Sequence, residues 1–238
     1  MVNSFAGCLI SKIFPQTCRL CGLASERDIP LCRVCQSALP RNEHHCAQCA
    51  LPLATASELT RLCGRCLTQP PAFDQVRAAW LYDPQLAALI TAWKYHRDLR
   101  LTPLLASLLL VGHAAGEPPD LILAVPLHWR RLLWRGFNQS QELVAAAFGQ
   151  QQPRAQVLVC KRRMHSPAQS SLGARQRNTL PAHAFTVQGR CDNLRVALVD
   201  DVMTTGATAH ALSLKLKAAG ASHVEVWCIA RTPAPDNR

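Results

Sequence analysis

Residues 196–208 read VALVDDVMTTGAT, and this stretch decides the fold. Val196 to Val199 is a short, β-rich, uninterrupted apolar run, the pattern of a strand buried on both faces of a parallel sheet. Asp200 and Asp201 fall at its carboxyl end, where open α/β sheets place their ligand crevice. Two ionised carboxylates accept hydrogen bonds and donate none, so they suit vicinal hydroxyls or a cation. Thr204, Thr205, Gly206, Ala207 and Thr208 are small enough for the backbone to close around an anion, and the Ala/Leu/Lys run after them reads as a helix ending at Gly220. Phosphate at that point meets backbone N–H groups and the positive end of a helix dipole. A diol on one side and a phosphate on the other describe a ribose 5-phosphate.

Each half alone is ordinary chemistry: an acid pair at a strand end is usually a solvated turn, and Thr-Thr-Gly is a common helix cap. Both halves in this order are far more specific. The stretch resembles the phosphoribosyl pyrophosphate (PRPP) signature of type I phosphoribosyltransferases. The resemblance implies that Asp200 and Asp201 hold the ribose 2- and 3-hydroxyls. It also implies that Val202, Met203 and the Thr204 to Thr208 segment surround the 5-phosphate, with Mg2+ accompanying PRPP.

With 238 residues, 49% of them apolar, the chain can bury a sizeable core and hold one domain plus a small appendage. Its net charge of +11 favours an anionic partner: a phosphorylated metabolite, nucleic acid or an acidic membrane surface. The apolar runs, such as PLLASLLLVG, are too short to span a bilayer.

Eight of the 12 cysteines form four CxxC pairs: Cys18/Cys21, Cys32/Cys35, Cys46/Cys49 and Cys63/Cys66. That spacing lets both sulfurs of a pair face one tetrahedral ion, so two zinc ions are the natural count. Sequential pairing closes each site with less loop entropy than a cross-braced arrangement, and is the expectation. A four-thiolate iron–sulfur cluster is the competing reading. The N-terminus has no basic residue before a long apolar core, so no secretory signal is expected there, and a cytoplasmic protein with free thiols is. Eight thiolates against two divalent ions lower the formal charge by four and leave the protein basic.

A boundary falls near LTQPPAFDQ, giving a cysteine-rich zinc-binding module over residues 1–70 and a second domain over 71–238. The second reads as strand (Val76 to Tyr82), helix (Pro84 to His96), helix (Thr102 to Ala115), strand (Leu121 to Val125), helix (Gln139 to Phe148) and strand (Ala155 to Arg162). A long polar loop, the signature strand, its helix and a last strand (His223 to Ala230) follow. Alternation of this kind predicts an α/β fold with a parallel sheet covered on both faces, the Rossmann-like architecture of a type I phosphoribosyltransferase.

The segments WKYHRDLRLTPLLA, VPLHWRRLLWRGFNQSQELVAAAF, RRMHSPAQSSLGARQRNTLPAHAF and VALVDDVMTTGAT resemble, in order and spacing, the ComF family of proteins linked to competence and the use of external DNA. That resemblance covers almost the whole chain, including the cysteine-rich start. It places Pro126 and Leu127 in a pyrophosphate-binding loop, with His128, Arg130, Arg131 and Arg135 supplying donors behind it. In the same reading Arg135, Asn138 and Gln139 line the site, Arg163 joins the PRPP contacts, and Arg135 acts catalytically beside Asp200 and Asp201. Asn138 as a simple helix N-cap is the alternative. Residues 164–184 are expected to close as a lid, with Gln169, Arg175 and Asn178 at family positions. Lys94 and Arg97 read as site residues or as surface charges complementing a helix dipole. Two further readings replace catalysis. In one, Lys161, Arg162, Arg163, Arg175 and Arg177 grip single-stranded DNA while the zinc module docks on a competence helicase. In the other, the protein is a PRPP sensor.

Overall fold

The expected parallel sheet is present in the computed structural model, which describes residues 16–53, 61–112, 117–149, 159–162, 180 and 182–234. Its strands are β1 (Gln75–Leu81), β2 (Leu121–Ala124), β5 (Arg195–Met203) and β6 (His223–Arg231), in the order β1-β6-β5-β2 with every neighbour parallel. The remaining described strands, β3 (Val159–Arg162) and β4 (Phe185–Gln188), form a separate antiparallel pair. The segment read as a strand ending at Arg162 therefore stands outside the main sheet. Its partner lies at the end of a segment that reads as polar connection, because four residues are too few to show a period.

Alternate residues of β5 feed two cores. Val196 and Leu198 pack with α7 (Ala207–Ala218) through Leu212 and Leu216. Ala197 and Val199 pack with α3 (Pro84–Tyr95), α4 (Thr102–Leu110) and α6 (Gln139–Phe148) through Ile90, Trp93, Leu105 and Leu143. Asp83 starts α3 by accepting from the Leu86 N–H, and Pro84 sits where a helix needs no donor. α4 ends at Leu110, short of the expected Ala115; residues 113–116 lie outside those described. A further helix, α5 (Trp129–Arg135), is absent from the sequence reading because it buries no apolar face, only Arg135. Its end was nonetheless written in the chain: Gly136 takes φ +88°, the left-handed stop that glycine permits.

The eight CxxC cysteines lie in the first part of the chain, with α1 (Arg33–Ala38) and α2 (Gly64–Thr68) carrying the second cysteine of the second and fourth pairs. This part does not stand apart from the sheet. Leu81 N–H donates to the Pro40 carbonyl at 3.0 Å, Asn42 N–H to Ala79 at 2.9 Å, and Val76 N–H to Gln48 at 2.8 Å, so the segment pairs with the outer edge of β1. The Arg41 guanidinium lies 4.3 Å from the Trp80 ring centroid. An otherwise open strand edge is thereby satisfied. Cys18, Leu31 and Leu39 join the core under α3 and α4, while Cys46, Cys49, Cys63 and Cys66 join the core under α7. The two cysteine groups thus grip the sheet edge from opposite faces.

Asn42 is the bolt of that junction. Buried, it donates Nδ2 to the carbonyls of Ala50 at 2.9 Å and Ala78 at 3.2 Å. Truncation to Ala orphans two buried acceptors, so Asn42→Ala is expected to lower unfolding free energy by about 2 kcal/mol in urea denaturation, with zinc content unchanged.

Candidate functional site

Each cysteine group brings four Sγ atoms within 4.8 Å of one another, one from Cys18, Cys21, Cys32 and Cys35 and the other from Cys46, Cys49, Cys63 and Cys66. Pairing is sequential, as loop entropy favours. In each cage the local chain brings one thiol down, while burial and the neighbouring sulfurs push up Cys35 in the first and Cys49 and Cys66 in the second. Burial alone raises the Cys18 thiol, but amide N–H groups of Cys32, Cys21 and Leu20 bring it down to about 6. At Cys46 the same opposition, with the amides of Cys49, Cys63 and Gln48, gives about 7. A closed four-sulfur cage with one readily ionised thiol fits structural zinc.

The second feature is a cavity of about 920 Å³ over the carboxyl ends of the strands. β5 supplies Asp200, Asp201, Val202 and Met203 to it, the following turn supplies Thr204, Thr205, Gly206 and Thr208, and the end of β2 supplies Pro126 and Leu127. Arg135 and Gln139 also border it. Two other predicted contacts do not. Ala207 is buried in the first turn of α7, and Asn138 caps α6, accepting from Ser140 N–H at 3.1 Å and donating to the Val125 carbonyl at 3.2 Å. Arg163, Gln169, Arg175 and Asn178 lie outside the described residues.

The acids do not sit on a bare strand end. β5 continues to Met203, because β6 offers partners that far: Asp200 opposite Cys228, Val202 opposite Ala230 and Met203 opposite Arg231. Pairing overrides the poor strand propensity of aspartate. Asp200 Oδ1 accepts from the Ser140 hydroxyl at 3.1 Å and from the Asp201 N–H at 2.9 Å. Asp201, buried, is ion-paired with Lys94 from the last turn of α3. Lys94 is therefore a cavity residue facing the acids, which corrects the reading of it as a surface charge; the signal available in the sequence was its helical spacing from Ile90, a core residue four positions earlier.

Cations surround this pair. Burial brings the Lys94 ammonium down to about 8; Asp200 opposes, and Arg135 and Arg131 push the same way. Burial raises the Asp200 carboxyl from its ordinary range against the pull of Lys94, the Ser140 hydroxyl, Arg162 and Arg135. Arg135 donates to Gln139 Oε1 at 2.6 Å and lies 5.4 Å from the Tyr95 ring centroid, while its Nε is buried without a hydrogen-bond partner among the described residues. A buried guanidinium with an unused donor beside a cavity is poised for an anion.

Beyond the acids in the chain, Gly206 takes φ +79° and opens α7, with the Ala207 N–H 3.4 Å from the Thr205 hydroxyl. A Cβ at position 206 meets only the flexible end of Met203, Cε at 2.6 Å, which can swing aside, so it is the left-handed backbone that favours glycine there. The cavity is thus lined by carboxylate acceptors, a helix N-terminus and guanidinium donors.

A family model described as a double zinc ribbon domain matches residues 9–67. "DNA utilization protein YhgH" of Escherichia coli (strain K12) is 37% identical over 216 residues, covering 85% of this chain and 90% of that protein. "Competence protein F" of Haemophilus influenzae is 30% identical, covering 84% and 90%. "Competence protein ComFC" of Streptococcus pneumoniae is 27% identical, covering 86% and 89%. Among solved structures, the allosteric regulatory enzyme of purine biosynthesis gives a TM-score of 0.33 at 20% identity, covering 54% of this chain and 25% of that one.

Removing Lys94 leaves a buried carboxylate without its counter-charge, a loss of about 3 kcal/mol or more. Lys94→Met is expected to lose that much in urea denaturation, and the double variant Lys94→Met/Asp201→Leu to regain most of it.

Proposed function

The chain belongs to the ComF family, and from that premise we propose that its cavity binds PRPP in the handling or utilisation of external DNA, with phosphoribosyl transfer as its chemistry. The observation that carries this reading is the convergence, over one cavity, of the Asp200/Asp201 carboxylates, the Thr204 to Thr208 turn at the start of α7, and the Arg135 guanidinium with its unused donor. A carboxylate offers about four acceptor positions, so the contacts from Lys94 and Ser140 leave room for the ribose hydroxyls to donate. The 5-phosphate sits on the turn, where backbone N–H groups and the helix dipole meet it. Lys94, Arg131, Arg135 and Arg162 hold the diphosphate, with Pro126 and Leu127 beneath it. In transfer, the bond from the anomeric carbon to the diphosphate oxygen breaks as an incoming nucleophile bonds to that carbon. The guanidinium groups take up the charge gathering on the departing diphosphate, and the acid pair steadies the electron-poor ribose.

Magnesium is a hard cation that takes oxygen ligands. Its natural protein donors, Asp200 and Asp201, have their negative charge already balanced by Lys94, Arg135 and Arg162, so the chain supplies no resident divalent site there. In this reading Mg2+ arrives as a companion of the diphosphate.

A second reading has its own support. α5 exposes Trp129, Leu133 and Trp134 with Arg130 stacked 5.3 Å from the Trp129 ring centroid, at the rim of the cavity. Exposed rings interleaved with arginine suit the bases and phosphates of single-stranded DNA. No described helix is long and apolar enough to cross a membrane.

Calorimetric titration of PRPP with Mg2+ separates the readings. Asp200→Asn/Asp201→Asn is expected to weaken PRPP binding at least tenfold, roughly one lost charged hydrogen bond, and to leave oligonucleotide binding unchanged; equal PRPP affinity in both proteins refutes the pocket. The pH profile carries a sign. Lys94 has its free-state value near 8, and a bound diphosphate raises it. PRPP affinity is therefore expected to be flat below that pH and to fall above it, where binding must take up a proton. Lys94→Arg is expected to abolish the fall.

A further inference from the structure

Three consecutive carbonyls where β5 enters the proposed phosphate turn, those of Met203, Thr204 and Thr205, are held by two arginines. Arg231, buried at the end of β6, donates Nη1 to the carbonyls of Met203 at 3.1 Å and of Thr204, and donates Nε to the Cys49 carbonyl at 3.0 Å. Arg65 lies on α2 between Cys63 and Cys66 and donates Nη1 to the Thr205 carbonyl at 2.8 Å. Cys49, Cys63 and Cys66 themselves border the cavity. Two arginines thus link three cysteines of the second four-sulfur cage to three consecutive carbonyls of the turn.

We infer that the second zinc ribbon is the positioning element of the phosphate turn, with Arg65 and Arg231 as its positioning residues, so that metal occupancy of that ribbon and anion occupancy of the cavity are coupled. This rests on the PRPP reading of the cavity. The physical reason is peptide planarity: across a trans peptide the C=O and the next N–H point in opposite directions. Holding the Thr204 carbonyl on Arg231 directs the Thr205 N–H away from that guanidinium, and holding the Thr205 carbonyl on Arg65 does the same for Gly206 N–H. The donors that would cradle phosphate are oriented before the ligand arrives. Arg65 is placed only as well as α2, a helix of five residues whose ends are Cys63 and the turn after Cys66. Helices that short do not hold themselves in water, so the sulfur cage fixes its geometry. The first cage, Cys18, Cys21, Cys32 and Cys35, packs on the opposite face of the sheet and makes no contact of this kind among the described residues. Coupling is reciprocal: if zinc favours the anion, the anion holds the zinc.

The test uses full-length, zinc-loaded wild type, Arg65→Ala and Arg65→Lys. A colorimetric chelator extracts the metal with and without saturating PRPP, while PRPP affinity is measured by calorimetry. Wild type is expected to release its two ions in two phases, with PRPP slowing one phase about tenfold, the reciprocal of a coupling worth a typical hydrogen bond. Arg65→Ala is expected to keep both ions and its melting temperature, to lose the PRPP-dependent slowing, and to bind PRPP about tenfold more weakly; Arg65→Lys restores part of both. Full slowing in Arg65→Ala, or equal slowing of both ions, overturns the inference. Failure of PRPP to bind wild type instead refutes the PRPP reading, and the positioning claim is then read without ligand by amide hydrogen exchange. Faster exchange across residues 204–208 in zinc-loaded Arg65→Ala supports it, and unchanged exchange overturns it.

Discussion

Everything in this molecule depends on how the outer edge of β1 is closed. A four-stranded parallel sheet built on a nine-residue central strand has two open edges, and at β1 the covering backbone comes from residues 40–48 of the cysteine-rich part. That covering chain has little regular structure of its own, since α1 has six residues and α2 five. Its shape is imposed by two cages of sulfur, one contributing to each core. Metal binding energy in such sites is folding energy. The ribbons are accordingly part of the sheet's own packing.

The same junction reaches the cavity. Arg231, the last residue of β6, bonds at once to the Cys49 carbonyl and to the turn after β5. The acidic pair on that strand would be costly if left alone, and a lysine with several guanidinium groups balances it. Charge is therefore concentrated and compensated over the carboxyl ends of the strands, with a second compensated cluster around Arg77, Arg195 and the buried Glu225. Such compensated charge, with one guanidinium donor unused, is more informative about anion binding than the overall positive charge of the chain.

Much of this was legible in the residues. The uninterrupted run Val196 to Val199 points to a doubly buried strand, and the CxxC spacing points to both cages, with loop entropy favouring the sequential closure that is found. Asn138, expected at the site, also forms the cap that its residue type favours at a helix start. What escaped detection had no local signal. β4 is too short for a period, α5 buries no apolar face, and the partnership of Lys94 with Asp201 joins residues brought together only by folding. Likewise nothing near Arg65 in the chain points to Thr205, since that contact exists only once the ribbon has packed on the α7 face.

The most direct test of this account follows zinc release and tryptophan fluorescence through one urea titration of the full-length protein, with a metal indicator present. Trp80, Trp93 and Trp227 are buried in the core under α3 and α4 and report on the sheet. The account predicts that loss of both ions and loss of native fluorescence share one midpoint, because ribbons and sheet unfold together. Release of both ions at a lower urea concentration, with native fluorescence retained, would contradict it.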